Sequence, residues 1–110
     1  MADKFKEREK GFEAKWAHDE ELRFKVTTRR DKLLGQWAAA EMGLTSAAAE
    51  DYAKAVIQSA FRKSGDDDML AKLRDDFAAK KMLHADSAIR RKMEELLAIA
   101  GKQVMSEMKK

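Results

Sequence analysis

The chain has no cysteine, no proline and only five glycines among its 110 residues. Without cysteine it can form no disulfide and has neither a thiolate nucleophile nor a cysteine metal ligand. Without proline, nothing removes an amide from the middle of a helix, so long helices can run unbroken. β-branched residues are scarce, which leaves little raw material for strands. The histidines are His18 and His84, too far apart in sequence for a recognisable metal-binding spacing. No apolar run approaches the roughly 18 residues of a membrane span. The opening MADKFKEREK lacks the apolar stretch of a secretory signal, and its mixed charges are unlike an arginine-rich, acid-poor transit sequence. A cytoplasmic protein is expected.

What the chain does have is charge and helix formers. Charged residues make up 39% and hydrophobic residues 45%, with Ala, Leu, Met, Glu, Lys and Arg prominent. The 23 basic and 20 acidic side chains are interleaved and leave a net charge of +3. Such mixing describes a solvated surface, whereas a nucleic-acid footprint gathers one sign on one face. Neither nucleic acid nor a membrane is expected as a partner. The length suits one domain, and the composition makes it all-α.

Four segments carry helical periodicity. The first, 20–42, repeats Leu22, Val26, Leu33, Trp37 and Ala40, and Gly43-Leu44 supplies a stop followed by a residue that can fold back. Thr45 or Ser46 can cap the second helix, 47–63, whose stripe is Ala49, Tyr52, Ala53, Val56, Ile57, Ala60 and Phe61. Asp66, Asp67 and Asp68 offer a cap and favourable negative charge for a third helix, 68–80, with Met69, Leu70, Leu73 and Phe77 inward. Asp86 or Ser87 can cap a fourth, 87–108, striped by Ile89, Met93, Leu96, Leu97, Ala100 and Val104. Short links between such helices predict a four-helix bundle over residues 20–110.

Residues 1–19 break the pattern. Phe5, Phe12 and Trp16 share one helical face, surrounded by charges and weakened by Gly11. A segment so poor in aliphatics gains little from joining a core and is marginal as an isolated helix. It is expected to be a flexible N-terminal arm in the free protein that orders on a partner. Large aromatics carry binding energy in interfaces. The candidate partner-binding residues are therefore Phe5, Phe12 and Trp16, with Arg8, Lys10 and Lys15 meeting carboxylates at the rim.

Catalytic groups are harder to find. His18 beside Asp19 and Glu20 reads as a charged surface residue, and His84 as a loop or capping residue. The Asp66–Asp68 run lacks the alternating ligands and closing glutamate of a calcium loop, so capping is the better account. The glycines form no phosphate-binding motif. Arg29-Arg30 with Lys32, and Arg90-Arg91-Lys92, read as solvated helix faces, because adjacent residues on a helix point apart. The seven methionines fit adaptable core filling. No catalytic residue, metal or cofactor is assigned, and the chain is expected not to be an enzyme.

Three strings are familiar: FEAKWAHDEELRFK from Phe12 to Lys25, RRDKLLGQWAA from Arg29 to Ala39, and IRRKMEELLA from Ile89 to Ala98. Together they resemble the zeta inhibitor subunit of alphaproteobacterial F-type ATP synthases, in order and over essentially the whole chain. That family often has phenylalanine where this chain has Trp16, a change that keeps a large aromatic. The resemblance implies a four-helix bundle whose arm enters the catalytic head between an alpha and a beta subunit. There it approaches the rotor gamma subunit and blocks rotation in the hydrolytic direction. It also implies a protein peripheral to the inner membrane, held there through the ATP synthase. The resemblance also leaves room for nucleotide binding on the bundle, but nothing in this sequence places such a site. The alternative is a helical adaptor or assembly factor using the same arm on another protein.

Overall fold

In the computed structural model of the chain, the residues described are 19–61 and 65–108. They form four α-helices: α1, Glu20–Glu41; α2, Ser46–Ser59; α3, Asp66–Ala79; and α4, Asp86–Met108. There is no strand among the described residues.

Each helix begins and ends for a local reason. The Asp19 carboxylate accepts a hydrogen bond from the Leu22 amide at 3.1 Å, capping α1, and Glu20 and Glu21 add negative charge in its first turn. At the other end Gly43 takes a φ of +77°. The Leu44 amide then reaches back to the Ala39 carbonyl and the Gly43 amide to Ala40, at 2.9 and 3.1 Å. These two bonds close the Schellman arrangement, as Gly43-Leu44 suggested. The end of α3 repeats the device without glycine. Met82 N donates to Phe77 O and Lys81 N to Ala78 O, both at 2.9 Å, while Lys81 sits at a φ of +60°.

The bundle is built around α1, which packs most extensively against α2 and α4, while α3 bridges α2 and α4. Close contacts of Gly35 with Ala53 and of Phe24 with Phe61 run α1 antiparallel to α2. The contacts of Arg29 with Gln103 and of Trp37 with Lys92 do the same for α1 and α4. The main core joins Leu34 and Ala38 of α1, Val56 of α2, Met69, Leu70, Leu73 and Phe77 of α3, and Ile89 and Met93 of α4. A smaller layer packs Val26 against Ala100 and Val104.

The α3 and α4 stripes agree with the sequence reading, apart from Leu96 and Leu97, which are half-buried. Elsewhere the structure corrects it. α2 ends at Ser59, not 63, and Phe61 lies exposed beyond it. Thr45 occupies the capping position of α2 without a side-chain bond, and Gly65 rather than an aspartate precedes α3. Asp66 and Asp86 are the first residues of their helices, not their caps. The inner face of α1 is centred on Leu34 and Ala38, with Arg30, Asp31, Gly35 and Ala39 also buried. With Val26, also buried, this arc covers about 220° of the helix at 100° per residue. The expected stripe marked only its edge: Val26 is buried, Leu22, Leu33 and Trp37 are half-buried, and Ala40 is exposed.

Candidate partner-binding surface

Two polar clusters are built into the bundle. In the first, Arg30 of α1 extends across to α3. Its Nε donates to Asp31 Oδ1 at 2.9 Å, and its two terminal nitrogens donate to Asp66 Oδ1 at 2.7 Å and Oδ2 at 3.3 Å. Arg30 keeps 6% of its surface exposed and Asp31 keeps 5%, so both charges are removed from water. Burial pushes the Asp31 carboxyl up to about 6, against the pull of the Arg30 charge and hydrogen bond. For Arg30 burial works to lower the pKa, but the bond to Asp66 and the two carboxylates hold it above its ordinary value. The guanidinium is thus firmly charged, and Asp66 takes two of its three hydrogen bonds. This corrects the view of Arg29-Arg30 as a solvated face. Arg29 is also engaged, binding both Glu107 carboxylate oxygens at 2.8 Å. Asp67 receives Arg90 at 3.2 Å.

The second cluster lies toward the other end of α1. The Trp37 ring meets Phe77 edge-on at 5.6 Å, and His84 packs on Phe77 at 4.2 Å, closing the loop between α3 and α4 over the core. Lys92 sits 5.5 Å above Trp37. Nearby, Tyr52 donates its hydroxyl to Asp76 Oδ2 at 2.7 Å, and Lys72 donates to the same oxygen at 3.0 Å. Burial and the Asp76 charge push the Tyr52 hydroxyl well above the usual tyrosine range, so it stays a donor at neutral pH. Both clusters tie helices together with partnered groups. No group of three or more metal-ligating side chains occurs among the described residues, and no helix among them is long and apolar enough to cross a membrane.

The residues nominated from the sequence, Phe5, Arg8, Lys10, Phe12, Lys15 and Trp16, lie outside the described residues, as does His18. The structure does show what they are attached to. The described chain opens at Asp19, which caps α1, so the segment before it leads directly into the central helix of the bundle. Sequence reasoning passed over Phe24 and placed Phe61 in the apolar stripe of the second helix; their rings lie 6.1 Å apart and exposed. The signal available was weak: Phe24 is an aromatic off the apolar stripe of its own helix.

The fold is therefore that of a small all-α bundle in which polar side chains hold helices together. The family model for the ATPase inhibitor subunit zeta matches residues 1–103, and the chain belongs to that family. A search of curated proteins finds no match. By its name the family is one of ATPase inhibitor subunits.

Proposed function

We propose that the protein inhibits ATP hydrolysis by the ATP synthase through residues 1–19. In this reading the segment enters the catalytic head between an alpha and a beta subunit, near the rotor gamma subunit, and stops rotation in the hydrolytic direction. The protein is then held at the membrane surface through the enzyme and inserts no helix of its own.

The observation that carries the reading is the placement of an aromatic stripe ahead of a capped helix in a chain of this family. A helix over this segment, turning 100° per residue, would bring Phe5, Phe12 and Trp16 within about 40° of one another. Such an arm would present its three aromatics on one face. Each aromatic buried against the catalytic head contributes about 1.5–3 kcal/mol. Arg8, Lys10 and Lys15 at the rim act more on association rate than on affinity.

The test is a titration of inhibitor-free ATP synthase with the full chain, with a chain lacking residues 1–18, and with Phe12→Ala/Trp16→Ala. Truncation at residue 18 spares the Asp19 cap, which is worth about 1 kcal/mol to α1. Both variants are expected to keep their helicity by circular dichroism and to lose inhibition of ATP hydrolysis. Inhibition by the truncated chain equal to that of the intact one places the inhibitory site on the bundle and overturns the reading.

A further inference from the structure

We propose that the open groove between α1, α2 and α4 is a second docking surface, made for an acidic amphipathic segment of the ATP synthase catalytic head. The proposal rests on the reading that the catalytic head is the target. The groove measures about 510 Å³, with Phe24, Ile57, Val104 and Met108 as its apolar lining. Phe24 is 57% exposed, Met108 54%, and Phe61, whose ring lies 6.1 Å from that of Phe24, 65%. The other large exposed hydrophobics among the described residues, Leu83 and Ile99, are not part of this groove. A gathering of large apolar side chains beside a concave surface is the mark of an interaction site rather than of ordinary scatter.

Charge decides the occupant. Lys25, Arg29 and Lys32 line the groove against a single carboxylate, Glu107, and that carboxylate is already held by Arg29 through both oxygens at 2.8 Å. Lys32 has no carboxylate partner among the described residues. Lys25 reaches Glu21 only at 3.7 Å, between two largely exposed side chains, a pairing worth little. The surplus is positive, and the spacing of Lys25 and Lys32 puts the two ammonium groups' attachment points about 10 Å apart along one side of α1. The protein's own arm has no acidic surplus to offer this rim: Lys4, Lys6, Arg8, Lys10 and Lys15 balance Asp3, Glu7, Glu9, Glu13 and Asp19. A second copy, with net charge +3, brings the same sign. A segment offering apolar side chains between Phe24 and Met108, flanked by carboxylates, fits both the lining and the rim.

Position agrees with chemistry. Phe24 lies five residues beyond the Asp19 cap, about 7 Å along the helix axis. A protein surface that holds the arm therefore abuts the groove, and the two contacts act as linked sites on one rigid helix.

The experiment measures binding of the full chain and its variants to immobilised inhibitor-free ATP synthase. Phe24→Ser is expected to weaken binding at least tenfold, mainly through faster dissociation. Lys25→Glu/Lys32→Glu is expected to slow association at least tenfold at low salt, a difference that shrinks as salt is raised. Circular dichroism checks that each variant keeps the helicity of the parent. If both groove variants bind within twofold of the parent while Phe12→Ala/Trp16→Ala loses inhibition, the groove proposal falls and the arm mechanism stands. If the parent chain does not bind the enzyme, both fall.

Discussion

Replacing Arg30 by methionine keeps most of the length of the side chain and removes its charge. Asp31, only 5% exposed, then loses its cation and its hydrogen-bond donor together, and Asp66 loses its tie to α1. Removing one member of a buried pair costs about 3–5 kcal/mol, because the other charge is left in a medium that solvates it poorly. For a domain of this size each kcal/mol moves the midpoint by about 4–8 °C, so Arg30→Met should lower Tm by at least about 12 °C. The pH dependence sharpens the test. Asp31 titrates near 6 in the folded protein against 3.8 for the free side chain, and without Arg30 its pKa moves higher still. A carboxyl raised in the folded state binds a proton that the unfolded chain does not, so folding is favoured as pH falls through that window. The penalty is absent below about pH 4, where both states are protonated, and is fully present above the folded-state value. Arg30→Met should therefore be more stable at pH 5 than at pH 8, with a steeper slope than the parent. Adding Asp31→Asn removes the stranded charge and should restore at least half the loss while flattening the slope. Thermal and urea unfolding of the parent, Arg30→Met, Asp31→Asn and the double variant at both pH values completes the cycle. A loss for Arg30→Met of under about 1 kcal/mol, or a double variant no better than the single, would refute the reasoning.

Two further predictions concern the backbone. A Cβ on Gly35 would stand 2.7 Å from the Ala53 Cα and 3.3 Å from its carbonyl oxygen, so Gly35→Ala must push α1 and α2 apart. The overpacking cost of about 1–3 kcal/mol should exceed the gain of roughly 1 kcal/mol in helix propensity, and a rise in Tm would contradict the close approach. Lys81 holds a left-handed conformation, with a φ of +60°, at the end of α3. Lys81→Gly should raise stability by about 1 kcal/mol in urea unfolding, and a destabilised variant would mean that the lysine side chain supports the turn.

The two helices whose sequence was easiest to read, α3 and α4, bury apolar stripes along a single side. Met69, Leu70, Leu73 and Phe77 are all buried, as are Ile89, Met93, Ala100 and Val104. α1 was harder because it is enclosed on most of its circumference, and two of its inward positions are charged. Arg30 and Asp31 look like surface residues to any hydrophobic pattern, since Asp66, which ties Arg30 to α3, lies 36 residues further on. Gly35 carries no apolar signal either, although it seats α1 directly against the Ala53 backbone of α2. The Asp66–Asp68 run was legible as negative charge at a helix start but not as a long-range ligand for Arg30. The groove was illegible for a related reason. It draws Phe24, Ile57 and Met108 from three helices, and only the packing of those helices shows that the side chains are neighbours.

The grip on α1 also has a mechanical meaning. A tug applied at Asp19 along the axis of α1 enters a rod about 33 Å long that is clasped from several sides. To slide, the rod would have to drag Leu34 and Ala38 past their neighbours and shear the Arg29–Glu107 and Arg30–Asp66 ties at the same moment. To spin, it would have to force Gly35 out of its seat against Ala53. A rotor straining against whatever precedes Asp19 would thus meet the resistance of the whole bundle, in the way a cleat spreads the pull of a rope.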